Sequence, residues 1–179
     1  NLHYRGDQLA RHLSGRDLQL SWEREEILET GGGLKQALPL LGDDPVLTLN
    51  TDAIWTGENP LSELMRQWSD DMDGLLLLLP LEQAAGHASK PDFTLAEDGR
   101  IQHPPQAGRP GYVYLGAQVL RTAGLSEISE RSFSIWVLWR QMMERGRLFG
   151  MIHSGGWCDV GHPGGITEAE ALLAASGHV

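Results

Sequence analysis

Two aspartates draw attention first in the 179-residue chain. Asp52 closes the triplet Asn50-Thr51-Asp52, directly after the apolar run Val46 to Leu49. Asp159 sits in Trp157-Cys158-Asp159-Val160-Gly161-His162-Pro163. Ligands of open α/β sheets gather outside the carboxyl ends of strands. An acid there is suited to Mg2+, a hard ion that prefers carboxylate and phosphate oxygens. Plainer duties fit equally well. Asp52 can cap the turn that follows the strand, and Asp159, beside Gly161 and Pro163, can be a turn residue. A third place is Glu29-Thr30-Gly31-Gly32-Gly33, ahead of a helical stretch. Glycines at a strand-to-helix turn let backbone N–H groups approach a ligand, and a helix N-terminus favours negative charge. The pattern is neither G-x-x-x-x-G-K-[ST] nor G-x-G-x-x-G. A flexible turn with Glu29 in solvent is the alternative.

Other constellations are weaker. His153, Cys158 and His162 are zinc-ligand types, but three in ten residues lack a fourth, and no C-x-x-C pair occurs. Cys158 as a nucleophile needs a base within hydrogen-bond reach, and a small buried cysteine is commoner. The six tryptophans suit packing better than a stacking platform. No G-x-S-x-G, H-E-x-x-H or EF-hand pattern is present.

The elements that must carry these residues follow from periodicity. Val46 to Leu49 is a short strand, and the continuously apolar Gly74 to Leu79 is a strand buried on both faces. Pro60 to Trp68 starts with proline and places Leu61, Leu64, Met65 and Trp68 on one helical face. Gly6 to Leu13, Leu34 to Leu41, Ser134 to Arg145 and Thr167 to Ala175 are further helices, with Pro39 set to kink or end the second. Alternation predicts a short strand over Asp17 to Trp22. Strands are also expected at Tyr112 to Leu115, Arg147 to His153 and Gly156 to Asp159. Glu97-Asp98-Gly99 marks the turn of a hairpin. This alternation predicts one α/β domain over residues 1–179, its sheet largely parallel in the first half.

Composition limits the partners. Twenty-four acids against fourteen Lys and Arg give a net charge of −10, which argues against a broad nucleic-acid face. A polyanionic substrate then needs a metal ion or backbone N–H groups. A single cysteine excludes an internal disulfide and suits a reducing, cytoplasmic setting. The leucine-rich run at residues 75–81 is too short to span a bilayer, so no membrane partner is expected. The chain opens on Asn1-Leu2-His3-Tyr4, with no Met and no signal-peptide pattern, and reads as the interior of a longer sequence.

In order, Glu29-Thr30-Gly31-Gly32-Gly33, Asn50-Thr51-Asp52, Tyr114-Leu115-Gly116 and Trp157-x-Asp159-Val160-Gly161-x-Pro163 resemble the sugar-1-phosphate nucleotidylyltransferases. The branches using N-acetylmuramate 1-phosphate with UTP, or similar to mannose-1-phosphate guanylyltransferases, are nearest in pattern. Asn1-Leu2-His3-Tyr4, Phe133-Ser134 and Gly146-Arg147-Leu148-Phe149-Gly150 extend the resemblance over nearly the whole chain. It implies a Rossmann-like α/β/α sandwich with a mixed central sheet. It also implies transfer of a nucleoside monophosphate, UTP favoured, to a sugar 1-phosphate with release of pyrophosphate. Carried over, Asp52 and Asp159 hold Mg2+ as the catalytic carboxylates. Glu29, Thr30, Gly31, Gly32, Gly33 and Asn50 bind the nucleotide, while Tyr114, Gly116 and Trp157 line the sugar pocket.

There are departures. The family's glycine-rich signature loop, with its Arg and following Lys, has no counterpart here. Thr51, Cys158 and His162 are atypical. The expectation is a chain lacking the first strand and signature loop, inactive as given. A sheet edge left uncovered would invite a homodimer. A nucleotidyltransferase-like domain that binds a sugar nucleotide for regulation, without catalysis, is the alternative.

Overall fold

The computed structural model describes residues 1–42, 44–85 and 90–177. The chain folds into two compact units: Asn1–Val46 with Arg121–Gln141, and Leu47–Leu120 with the chain from Met142 onward.

In the second unit the leucine run becomes strand β3 (Gly74–Pro80), buried from Gly74 through Leu79. On one face Leu75, Leu77 and Leu79 pack with Leu64 of helix α3 (Pro60–Gln67) and with Val113 and Leu115. On the other, Leu78 meets Leu95 and Ile101 around Gly150, where a Cβ would lie 2.5 Å from Leu78 and 2.9 Å from each of the others. Each fully buried leucine contributes roughly 1.5–3 kcal/mol, which is why this strand needs no polar alternation. Asn59 caps α3, its side chain accepting from the Leu61 and Ser62 N–H groups at 2.9 and 3.2 Å.

Strand β3 is flanked by β6 (Tyr112–Leu120) and β7 (Leu148–Ile152), with β1 (Val46–Leu49) outside β6, giving the order β1-β6-β3-β7. The β3–β7 pair is parallel and the β3–β6 pair antiparallel. The sheet is therefore mixed, not largely parallel. An antiparallel return needs no crossover helix, and the segment before β6 forms the small hairpin β4 (Thr94–Leu95) and β5 (Ile101–Gln102) instead. Strand β1 ends the sheet with Leu47 and Leu49 exposed. A separate two-stranded ladder joins β2 (Ala53–Trp55) to β8 (Trp157–Asp159). Helix α5 (Pro163–Ala175) starts ahead of Thr167, because the His162 ring accepts from the Gly165 N–H at 3.1 Å and Pro163 suits the first helical position.

The first unit contains α1 (Gly6–His12), α2 (Glu29–Ala37) and most of α4 (Trp136–Glu144). Helix α2 begins at Glu29, not at Leu34, so the three glycines lie inside it. Long-range packing overrides their poor helix propensity. A Cβ would fall 2.5 Å from the Phe133 ring at Gly31 and 2.2 Å from the Arg131 carbonyl oxygen at Gly32. The helix gives way at Pro39 to a 3-10 turn, Leu38–Leu40. The strand expected over residues 17–22 reduces to one parallel bridge, Leu2 with Trp22. Leu18 is exposed and Leu20 only half-buried, so the alternation has no apolar surface to settle on.

Candidate functional site

The β2–β8 ladder pairs Ala53 with Asp159, Ile54 with Cys158 and Trp55 with Trp157. Asp52 precedes β2 and Asp159 ends β8, so both acids leave the same end of one ladder. A bond from the Val160 N–H to the Asp52 carbonyl, 2.9 Å, continues the pairing. Gly161 lies between the side chains: a Cβ there would be 3.0 Å from Asp159 Oδ1 and 3.7 Å from Asp52 Oδ2. The Gly161 N–H donates to Asp159 Oδ1 at 2.7 Å, the turn geometry its sequence also suggested. The two readings of Asp159 are thus compatible. Two carboxylates this close form a negative locus that attracts a cation.

Beside them is a cleft of about 180 Å³ in which Asn50, Asp52, Tyr114, Gly116, Trp157 and Asp159 meet, with Ala53 and Leu115. A bulge in β6 shapes it. Leu76 pairs with Gln118 and Leu78 with Tyr114, so three residues of β6 stand opposite Leu77 alone. Gly116 occupies the bulge with φ +81°. Its carbonyl accepts from the Asn50 N–H at 2.8 Å, and the Leu115 carbonyl accepts from the Trp157 indole N–H at 3.1 Å. The bulge thereby ties β1, β6 and β8 to one another. Burial pushes the Tyr114 hydroxyl above its ordinary pKa, opposed by its hydrogen bond with Thr48, so the phenol is neutral.

The glycine-rich stretch belongs to the first unit. The Gly31 and Gly32 N–H groups both donate to the Phe133 carbonyl, at 2.9 and 3.0 Å, and Thr30 Oγ1 accepts from the Ile135 N–H at 3.0 Å. These two amides serve packing inside their own unit. Glu29 is exposed and takes φ +58°, a left-handed backbone unusual for a residue with a Cβ.

One cluster has no counterpart among the motifs along the chain. Glu63 of α3 and His153, just after β7, are buried together, and Glu63 Oε2 contacts His153 Nδ1. The second ring nitrogen donates to the Thr56 carbonyl at 3.0 Å, and Ser154 Oγ donates to Glu63 Oε1 at 2.6 Å. A buried acid on a short helix leaves no periodic signal, and only tertiary packing reveals its partner. The zinc alternative finds no support: His153 is engaged on both nitrogens, and among the described residues no group of three or more His, Cys, Asp or Glu could hold a metal ion.

Cys158 is fully buried in β8. Burial pushes its thiol up, and the charges of Glu168 and Asp159 add to the effect. The thiolate is the reactive form, so DTNB at pH 8 should label the native protein slowly and the unfolded protein at once. Rapid native labelling would contradict this placement.

No protein-family model matches the chain. It is 32% identical over 184 residues to the N-acetylmuramate alpha-1-phosphate uridylyltransferase of Caulobacter vibrioides, covering 97% of this chain and 76% of that protein. The protein of the same name from Neisseria meningitidis serogroup B is 31% identical over 149 residues, 83% of this chain and 63% of the relative. In fold the chain is similar to the crystal structure of HddC from Yersinia pseudotuberculosis complexed with GMP-PN. The TM-score is 0.70 at 16% identity, over 94% of this chain and 74% of that one. Among the described residues no helix is long and apolar enough to cross a membrane.

Proposed function

Since the chain belongs to the sugar-1-phosphate nucleotidylyltransferase family, we propose that its protein transfers a nucleoside monophosphate from a nucleoside triphosphate, UTP favoured, to a sugar 1-phosphate. One observation carries this reading: Asp52 and Asp159 converge at one ladder end, on a cleft that also holds Asn50, Tyr114, Gly116 and Trp157.

In this reaction an oxygen of the sugar phosphate attacks the α-phosphorus. The bond from that phosphorus to the β,γ-phosphates breaks, and pyrophosphate leaves with the electron pair. Little covalent work is asked of the protein, so positioning and charge control dominate. The donor set fits Mg2+, which takes one or two carboxylates and leaves its other positions to water and phosphate oxygens. Asp52 and Asp159 would hold it, and when bound it would offset charge on the phosphates. Asn50, fixed by its bond to Gly116, would lie beside the nucleotide. Tyr114, Gly116 and Trp157 would face the sugar, with Trp157 held by its bond to Leu115. We carry Glu29, Thr30 and Gly31 to Gly33 as the nucleobase segment; the left-handed backbone at exposed Glu29 supports it, since such strain collects at functional sites.

Pyrophosphate release by the full-length protein with Mg2+ tests this reading. UTP, GTP, CTP and dTTP are each paired with N-acetylmuramate, mannose and glucose 1-phosphates. The expected result is release from one pair, absent in Asp52→Ala. Nucleotide binding without release from any pair would replace the enzyme with a binding module.

A further inference from the structure

We propose that the buried Glu63–His153 pair is a positioning device, holding the β2–β8 ladder so that Asp159 and Trp157 keep their places. Its consequence for catalysis rests on the metal reading of Asp159; the structural claim does not.

Strands β2 and β8 pair through only three residues each, and a ribbon that short has little stability of its own. One end carries Asp52 and Asp159. At the other, the Thr56 N–H donates to the Gly156 carbonyl at 2.9 Å and the Gly156 N–H to Thr56 Oγ1 at 3.0 Å. The pair acts just beyond that end. His153 is tied to β3 by its N–H on the Leu78 carbonyl, 2.9 Å, and to the end of β2 by its ring on the Thr56 carbonyl, 3.0 Å. Glu63 joins α3 to the same turn, accepting from Ser154 Oγ and, at 3.3 Å, from the Ser154 N–H.

Hydrogen-bond chemistry orders the ring. Nε2 faces a carbonyl, so it must donate. Nδ1 then shares one proton with the Glu63 carboxyl, and neither group can turn away without losing a buried partner. There is no slack nearby: a Cβ on Gly155 would lie 1.7 Å from the Thr56 oxygen and 2.9 Å from His153 Nε2. A shift of the ring therefore passes to Thr56, and along β2 to Ala53 opposite Asp159. Replacing both members of a buried hydrogen-bonded pair by apolar groups of similar shape is often nearly neutral for stability. Its place at the end of this ladder is the stronger account.

Amide hydrogen exchange tests the claim on three proteins: wild type, Glu63→Leu and Glu63→Gln. Leucine keeps the volume without the hydrogen bonds. Glutamine keeps an acceptor for Ser154 and offers His153 Nδ1 a donor. In Glu63→Leu the Thr56 and Val160 amides should exchange at least about tenfold faster, as in a local opening, while the β3 amides do not change. Glu63→Gln should restore protection. Unchanged exchange at Val160, or a uniform rise across β3 as well, would overturn the proposal. If Glu63→Leu does not fold, Glu63→Asp, which shortens the reach, is read by the same criteria. A titration with Mn2+ alone, followed by water proton relaxation, supplies the functional arm: binding should weaken in Glu63→Leu and recover in Glu63→Gln. Asp52→Ala in that titration separates the two readings. If wild type binds no better than Asp52→Ala, the metal reading fails and the exchange data still decide the positioning claim.

Discussion

Asp52→Ala is expected to lower pyrophosphate release about a hundred- to a thousandfold, the scale of losing a principal electrostatic group from a transition state, with the fold kept. Asp52 is exposed, and the bond it gives the ladder comes from its backbone carbonyl, which alanine keeps. Removing one of two neighbouring carboxylates also relieves repulsion, so the melting temperature should hold or rise slightly. Asp159→Ala should match it in rate but not in stability. Asp159 Oδ1 accepts from the Gly161 N–H, a bond worth about 0.5–1.5 kcal/mol. Asp159→Asn keeps an acceptor for that N–H and loses the charge, so it should restore stability without restoring rate. Steady-state kinetics beside thermal unfolding separates the two effects. A rate within tenfold of wild type in Asp52→Ala would remove that carboxylate from the mechanism.

Gly116→Ala should reach both stability and function. At φ +81° a Cβ is strained whatever surrounds it, and here it would lie 2.7 Å from Asn50 Cβ. Strain and overpacking each cost on the order of 1–3 kcal/mol. Gly108→Ala is the control, because Gly108 has φ +79° and no atom within 4 Å of the added carbon. The difference between the two urea midpoints isolates the collision. Pushing Asn50 aside should also raise KM for a substrate more than Gly108→Ala does. Equal midpoints in the two variants would mean that the bulge yields freely, and that its tight fit does not hold Asn50.

Much of the second unit was readable along the chain. The unbroken leucines of residues 75–79 fitted a short strand covered on both faces, because no polar position remains for solvent. Pro60 marked the start of α3 through its φ preference, and Glu97-Asp98-Gly99 the hairpin turn through local hydrogen bonding. The motif residues that follow β1 and those in β6 and β8 were also named from the sequence, though not the cleft in which they meet. Where local preference and packing disagreed, local reading failed. Three glycines argued for a turn, and Phe133 and the Arg131 carbonyl, a hundred residues away in sequence, draw them into α2.

Local chemistry thus marked which residues could act: one aspartate after a short strand and another at the end of one, a glycine-rich segment, and an acidic chain that would need help with a polyanion. These are properties of side chains and of neighbours within a few positions. Contacts across the fold settled the rest. They set the antiparallel sense of β3 and β6, the bulge at Gly116, the approach of Asp52 to Asp159, and the burial of Glu63 against His153. Each depends on a partner thirty or more residues away, and no pattern within one segment encodes the partner's position.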